Sequence, residues 1–194
     1  GNDEEGVKGC IRNGIEEKTA NLIFDEMPDF AKYAFNKSHA ACYAVVSYQT
    51  AYLKYYYPTE FMAALLTSVM DNTNKVSEYI LTCRQMGISI LPPDINEGDS
   101  GFTVSGKAIR YGLSAIKSVG KSVVKSIVKE RESHGIFRTM DDFVERMSNK
   151  EVNRRTLENF IKAGALDSLP GNRRQKCMVA PEMLEQKNKE KKSV

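Results

Sequence analysis

The sequence predicts a mainly α-helical protein: a multi-helical first part, a small β-hairpin, and a tandem helix-hairpin-helix module. Apolar residues recur every three or four positions along most of the chain, which is the period of an amphipathic helix. One stretch, residues 88–112, is instead rich in proline, glycine and β-branched residues. Hydrophobic residues make up 41% of the chain and charged residues 27%, a balance typical of a globular protein.

Residues 1–87 are predicted to form the first domain, built from successive helices. Proline and glycine mark the helix ends, because proline lacks the amide that a helix interior needs and glycine favours the residue after a helix. A break or kink is expected at Pro28, and the next proline, Pro58, should end one helix and begin another. The predicted helices are Glu16–Met27, Ser38–Tyr56, Thr59–Met70 (or from Pro58) and Asn74–Met86.

Residues 88–171 are predicted to form a second domain that begins with a short β element at 88–110. Ile88–Leu91 is expected to be a strand, and Phe102–Val104 and Ala108–Arg110 a hairpin turning at Ser105-Gly106. Short helices follow up to residue 171. Residues 172–194 are predicted to be a helical or frayed charged tail.

The totals restrict the class of protein more than they identify it. The net charge of +3 is too small to indicate a partner. The four cysteines are scattered without paired spacing, which argues against a zinc site or a disulfide framework and favours a reducing compartment. Apolar runs fall far short of the ~18 residues of a membrane span, so we expect a cytoplasmic protein with no membrane partner.

The most informative motif after the first helices runs from Leu113 to Arg131. Leu113 and Ile116 are expected to end one helix, and Ser118-Val119-Gly120 to form a tight turn before the next. This is a helix-hairpin-helix pattern, whose usual turn reads glycine, apolar, glycine. Small residues there let backbone amides at the start of the second helix approach a phosphate, a contact that does not read base sequence.

The charge of this stretch supports phosphate binding. Seven basic residues and one acidic residue lie between Ser105 and Arg131, and three lysines recur every four positions on one helix face. A merely solvated helix face is the alternative. The residues predicted to bind the DNA backbone are Lys117, Ser118, Val119, Gly120, Lys121, Lys125 and Lys129.

Residues 154–175 look like a degenerate second copy of the hairpin. Ala163-Gly164-Ala165 would occupy the turn and Asn172 would restart the chain. Gly164 could equally be a simple helix C-cap, and the residues leave this open. The additional backbone contacts predicted here are Arg154, Arg155, Arg173 and Arg174.

A polar stripe runs down the helix that begins near Ser38. Its apolar other faces predict a helix buried on most sides. Lys37 and Ser38 stand at its N-terminus, where the dipole and free amides suit a phosphate. The alternative is that Ser38 caps the helix and His39 only bonds a neighbour. The stripe consists of His39, Tyr43, Ser47, Thr50 and Lys54.

Long stretches of the sequence resemble the bacterial C-family replicative DNA polymerases. "FNKSHAACYAVVSYQTAYLKYYYPTEFMAALL", with "NGIEEKTANLIFDEM" before it and "CRQMGISILPPDINEG" after it, is similar to that family's fingers domain. "IRYGLSAIKSVG" through "VNRRTLENFIKAGALDSL" resembles its tandem helix-hairpin-helix domain. The resemblance covers roughly residues 7–175.

The resemblance implies part of a DNA-directed DNA polymerase, a nucleotidyltransferase, whose fingers contact the incoming deoxynucleoside triphosphate. Lys37, Ser38, His39 and Tyr43 would face that nucleotide, and the hairpin module would grip duplex primer-template DNA. The family's magnesium is held by palm-domain aspartates, for which this sequence offers no candidate. We therefore expect no catalytic residue, cofactor or metal ligand here, and no polymerisation by the fragment alone.

The resemblance also implies further partners, and two alternative functions stay open. The sliding clamp and other replisome subunits would bind regions outside this chain. A stand-alone helix-hairpin-helix DNA-binding or repair protein is the alternative function, and a purely structural helical scaffold is a further one.

Overall fold

A computed structural model describes the backbone of residues 9–33, 36–147 and 152–192. Parts of the predicted first domain (residues 1–8, 34 and 35) and the last two residues of the predicted tail lie outside this description. Short 3₁₀ turns occur at Ile11–Asn13 and Leu113–Ala115. The helices are α1 Glu17–Tyr33, α2 Lys37–Tyr56, α3 Pro58–Ser68, α4 Thr73–Gln85, α5 Lys121–His134, α6 Met140–Met147, α7 Arg154–Ala163 and α8 Arg173–Lys192. The strands are β1 Ile90–Leu91, β2 Thr103–Ser105 and β3 Ala108–Arg110. The mainly α fold class is confirmed.

The chain forms two compact units, residues 1–51 and residues 52–194. In the first unit, no residue in the described parts of α1 and α2 is buried, so the prediction that α2 is buried on most sides is wrong for this chain. Tyr43 and Val45, for example, are 62% and 56% exposed. Among the described residues, none covers the apolar faces of α2, so its exposed aromatic side chains form part of the protein surface.

A break or a kink was predicted at Pro28, and the break is wrong because helix α1 continues through this residue. A proline inside a helix removes one amide hydrogen bond and crowds the carbonyl four residues earlier. The flanking turns of α1, which run from Glu17 to Tyr33, remain helical on both sides.

The second unit contains two hydrophobic cores. The smaller core joins α3 and α4 to the sheet through eight buried residues, Met62, Ala63, Leu66, Val76, Cys83, Ile88, Phe102 and Ile109. The sheet order is β1-β3-β2, with β1 parallel and β2 antiparallel to β3. Ile109 pairs with Ile90 on one side and Val104 on the other. The predicted hairpin is present, and Gly106 in its turn has φ +61°.

The larger core extends from Ile95 to Leu184 and holds α5, α6, α7 and α8 together. Phe137, Phe143 and Phe160 are at most 1% exposed and meet edge to face, with ring centroids 5.0 and 6.4 Å apart along the series. Burying a side chain of this size contributes roughly 1.5–3 kcal/mol. Tyr111 packs against both cores.

Two arginine side chains, Arg131 and Arg146, bond to groups next to the larger core. Arg131 donates from Nη1 to the carbonyl oxygens of Ile95 and Gly98, at 2.9 and 2.5 Å. The Arg146 guanidinium pairs with buried Glu130 at 3.2 Å and lies 4.3 Å from the ring centroid of Phe137. None of the helices among the described residues has the length and apolar character to cross a membrane.

Candidate nucleic-acid interface

The segment before the hairpin turn is not a regular helix. The predicted helix end at Leu113 and Ile116 is a single 3₁₀ turn, Leu113–Ala115, and Ile116 is extended (φ −70°, ψ 129°). The backbone amides of Leu113 and Ser114 donate instead to the carbonyls of Asp99 and Ser100, at 2.8 and 3.1 Å. Pairing with this loop takes the place of a longer helix. The prediction of an α-helix here is therefore wrong, although the turn itself is present.

Ser118 occupies the first position of the turn in a left-handed conformation, with φ +62°. It is the one non-glycine residue with positive φ among the described residues. An L-residue pays roughly 1–2 kcal/mol for this conformation, which glycine adopts without cost. Glycine is therefore usual at this position because the backbone there requires a positive φ. Ser118 adopts the same conformation, but with strain.

Hydrogen bonds and packing hold the turn after Ser118. The Val119 amide donates to the Ile116 carbonyl at 3.1 Å, and the Val119 side chain is buried in the larger core. Gly120 is extended (φ −77°) and immediately precedes the amides that begin α5, to which it supplies no side-chain cap. A Cβ on Gly120 would meet only the Ser122 hydroxyl, at 3.6 Å. The glycine thus keeps the approach to those amides open.

Three lysines, Lys121, Lys125 and Lys129, lie exposed along α5, while Val123, Val124 and Ile127 are buried in the core. No carboxylate among the described residues forms an ion pair with these lysines or with exposed Lys117. The single acidic residue of the stretch, Glu130, is buried and pairs with Arg146. Within the described part of the chain, no ion pair therefore offsets the charge of the lysine face.

Two of the seven basic residues serve the fold. Arg110 donates to the Pro92 carbonyl at 3.0 Å and pairs with Glu97, and Arg131 donates to backbone carbonyls inside the unit. Both guanidinium groups are therefore bonded to other parts of the protein. The exposed positive charge near the turn comes from the lysines.

The second hairpin has a different geometry from the first. Gly164 ends α7 in the left-handed conformation (φ +86°), with its amide and that of Ala165 donating to the Ile161 and Phe160 carbonyls. This is C-cap geometry, one of the two readings that the sequence left open. Residues 164–172 then form a loop before α8, in place of a tight turn.

The four arginines predicted in this half differ in their surroundings. Arg155 and Arg174 are exposed. Arg154 donates to Glu158 at 2.9 Å, which lowers the pKa of that carboxyl. Arg173 donates twice to Asp167 at 3.0 Å and to the Lys162 carbonyl at 3.3 Å, so its guanidinium also holds the loop.

The head of α2, in the first unit, is capped by Asn36. Its Oδ1 accepts from the Ser38 amide at 3.0 Å, the Ser38 hydroxyl at 2.5 Å and the His39 amide at 3.4 Å. The helix begins at Lys37, so the cap predicted for Ser38 belongs to Asn36. The ring centroids of His39 and Tyr43 are 4.4 Å apart. All four predicted nucleotide-facing residues, from Lys37 to Tyr43, are exposed.

A groove of about 910 Å³ lies in the second unit beside the hairpin turn. Its lining includes Lys117, Ser118 and Val119 from the turn, and Asn159 and Lys162 from α7. The Asn159 side-chain amide donates to the Lys117 carbonyl at 2.9 Å. The turn and α7 therefore form one continuous surface.

The magnesium implied by the polymerase resemblance has no ligand set in the described part of the chain. Within residues 9–33, 36–147 and 152–192, no three histidine, cysteine, aspartate or glutamate side chains lie together as a metal site requires.

Sequence reasoning missed the residues that hold the loops, chiefly Asn159 and Lys176. Lys176 is 3% exposed and donates from Nζ to the carbonyls of Leu166 and Leu169, at 2.6 and 2.8 Å. No motif marks either residue. The position of Lys176 on the buried face of an amphipathic α8 was the available signal.

Comparison with known proteins found similarity to one motif family and to a set of longer proteins. Residues 87–176 match the helix-hairpin-helix motif family. The chain is 48% identical over 165 residues to the DNA polymerase III subunit alpha of Thermus aquaticus, covering 85% of this chain and 14% of that protein. It is 49% identical over 168 residues to the Neisseria meningitidis serogroup A subunit, covering 86% and 15%. With the Chlamydia trachomatis subunit it shares 44% over 192 residues, covering 97% and 16%. The chain thus spans about one seventh of the length of these relatives.

Proposed function

The chain is homologous to one segment of the DNA polymerase III alpha subunits, and from this premise we propose that it works as part of a DNA-directed DNA polymerase. In this proposal the helix-hairpin-helix portion grips the sugar-phosphate backbone of duplex primer-template DNA. The observation that supports it is the exposed lysine face of α5, which forms no ion pair with a carboxylate in the described part of the chain, beside the open turn Ser118-Val119-Gly120.

Contact with the duplex backbone follows from the chemistry of the turn. The amides that begin α5 at Lys121 and the positive end of its dipole suit a phosphate oxygen. Lys121, Lys125 and Lys129 extend the positive surface along the helix, and Lys117 extends it on the other side of the turn. Because these groups meet phosphates, binding should be independent of base sequence.

The second hairpin contributes by its exposed arginines in this proposal. Arg155 and Arg174 are available for phosphates, while Arg154 shares its guanidinium with Glu158 and Arg173 with Asp167. An arginine has five N–H donors, so a paired guanidinium still has donors for a second oxygen.

The head of α2 is proposed to contact the triphosphate of an incoming deoxynucleotide. Lys37 supplies an exposed ammonium, and the His39 and Tyr43 rings, tilted by 47° to each other, add an exposed aromatic pair one helical turn away. Asn36 already occupies the Ser38 and His39 amides. Lys37 and the aromatic pair therefore carry the contact more than free backbone amides do.

Catalysis is proposed to reside in the remaining parts of the alpha subunit, with magnesium held there. The sliding clamp and other replisome subunits would likewise bind elsewhere, and the protein would act in the cytoplasm. A stand-alone helix-hairpin-helix DNA-binding protein explains the α5 surface equally well. It does not explain why the similarity to the alpha subunits also covers the helices before the motif.

A salt titration of duplex binding tests the proposed DNA contact. The chain is titrated onto a fluorescently labelled duplex at several salt concentrations, and the affinity is read from anisotropy. Neutralising roughly four to six phosphates predicts a log-log slope of about −4 to −5, at ~0.9 per contact. Absence of binding at low salt would overturn the proposal for this segment.

A further inference from the structure

We propose that Asn159 is a positioning residue that holds the hairpin turn in its DNA-binding conformation. The inference rests on the proposed role of the turn in contacting duplex DNA. Asn159 itself contacts the protein and not the phosphate in this account. Its effect on DNA is exerted through the backbone of Lys117 and Ser118.

The supporting contact joins residues that are far apart in the sequence. The Asn159 Nδ2 group donates to the Lys117 carbonyl at 2.9 Å, across 42 positions of the chain. That carbonyl belongs to the peptide plane that leads directly into Ser118. Fixing its direction restricts rotation about the N–Cα bond of Ser118, the bond that has φ +62°.

The conformation that this bond supports is one that serine does not adopt readily. Glycine, the usual residue at the position, takes a positive φ without steric cost, but an L-residue must be held there by its surroundings. Asn159 supplies a hydrogen bond that depends on that orientation. Because Ser118 stands where glycine is usual, its positive φ must be stabilised by a neighbour. The Asn159 hydrogen bond provides that stabilisation.

Asn159 is well placed for this role because α7 and the turn share one core. Phe160 and Ile161, the next residues of α7, belong to the same buried cluster as Ile116, which precedes the turn, and Val119, which lies in it. Asn159 is partly buried and lies at the rim of this cluster, in the lining of the groove. The amide group is thus attached to a fixed scaffold, as a positioning residue requires.

The consequence concerns the amides that begin α5. If the Lys117–Ser118 peptide rotates, Val119 leaves its bond to Ile116, and the Gly120 and Lys121 amides no longer face one phosphate together. Duplex affinity then falls without the loss of any charge. The salt dependence should stay unchanged, since it counts neutralised phosphates.

The test compares Asn159→Ala with wild type in duplex affinity and salt slope. We expect affinity to fall roughly threefold to tenfold, the size of one net hydrogen bond, with the slope unchanged. Adding Ser118→Gly should restore affinity to within about twofold of the Ser118→Gly single variant, because glycine needs no support. Alanine favours helices, so α7 should persist, as circular dichroism will check. Asn72→Ala, which removes the α4 cap bond to the Lys75 amide, is the matched control and should leave affinity unchanged.

A measurement without DNA separates this inference from the proposed function. Hydrogen exchange of the Val119 amide should be faster in Asn159→Ala than in wild type. In the Asn72→Ala control, which is changed at the start of α4, this amide should exchange as slowly as in wild type. If the wild-type chain binds no duplex, the proposed function fails and this exchange rate alone decides the inference. Unchanged Val119 exchange, or a loss of affinity that Ser118→Gly does not rescue, would overturn the role of Asn159.

Discussion

The ammonium of Lys176 donates to the carbonyl oxygen of Leu166 at 2.6 Å, inside the second unit. The same group donates to the Leu169 carbonyl at 2.8 Å, and burial lowers the pKa of this lysine. Both carbonyls belong to the loop between α7 and α8. The Leu166 carbonyl also accepts from the Leu169 amide at 3.1 Å, whereas Lys176 is the donor recorded for the Leu169 carbonyl. Lys176 thus connects the start of α8 to this loop.

Lys176→Met should destabilise the chain by about 1–3 kcal/mol, because the Leu169 carbonyl loses its donor while the Leu166 carbonyl keeps the Leu169 amide. Methionine keeps most of the length and apolar volume of the lysine stem. The measurement is the free energy of unfolding in urea, followed by circular dichroism. Lys125→Met, at an exposed position on α5, is the control and should change the stability by less than about 0.5 kcal/mol. Equal stabilities of the two variants would contradict the structural role of Lys176.

Asp167 should make stability depend on acid pH through its pair with Arg173. The hydrogen bond from Arg173 lowers the pKa of Asp167 from its ordinary 3.8. A lowered pKa means that the contribution is complete above pH 3.8 and is lost as the pH falls through the folded pKa, below 3.8. The Asp167 side chain is 44% exposed, so solvent screening limits the effect to less than about 1 kcal/mol.

Unfolding of wild type and Asp167→Asn at neutral and strongly acid pH measures this contribution. The difference in unfolding free energy between the two should be largest near neutral pH and shrink in acid. Asp71→Asn, at an exposed carboxylate outside the ion pairs found among the described residues, serves as the control. A difference that grows in acid would refute the assigned sign.

Local signals predicted the ends of α3 and α4 well, although Pro28 did not end α1 as a local signal would suggest. Pro58 begins α3 as expected, and α4 at Thr73–Gln85 lies within one residue of its predicted bounds because Asn72 and Gly87 act locally. The hairpin at Gly106 and the turn at Ser118 were likewise predicted from residue type.

Contacts between segments that are distant in the chain could not be predicted from the sequence. Leu113 forms a 3₁₀ turn because its amide pairs with Asp99, which no periodicity reveals. The Asn159–Lys117 bond is hidden for the same reason. The apolar residues of α2 predicted a buried helix, but a pattern states only that a face can be buried, while the chain must supply the partner.

Lys121→Ala combined with Lys125→Ala should weaken duplex binding to a similar extent on all sequences. Two phosphate contacts are lost, so the salt slope should fall by about 1.8 in magnitude. Anisotropy with three duplexes of unrelated sequence provides the measurement. Lys75→Ala removes an exposed lysine that is paired with Glu78 on α4 and should leave the slope unchanged. Much greater loss on one sequence than on the others would disprove the backbone-contact account.

Lys37→Ala and His39→Ala should leave duplex binding by this chain nearly unchanged. In a full-length alpha subunit carrying the same segment, they should raise the apparent KM for deoxynucleotides, because contacts to the triphosphate are lost. Steady-state primer extension at varied nucleotide concentration measures this effect. Lys54→Ala, near the other end of α2, is the control. An unchanged KM in both variants would refute the nucleotide-facing assignment.

The most direct test of the central claim is an amide NMR titration of the chain with duplex DNA. We expect the largest chemical-shift changes at the Gly120, Lys121 and Ser122 amides, with smaller changes along the exposed face of α5. These changes should disappear at high salt, as counterion competition requires. Largest changes on α4 or α6, with the amides at the start of α5 unmoved, would contradict the claim that this turn holds the DNA backbone.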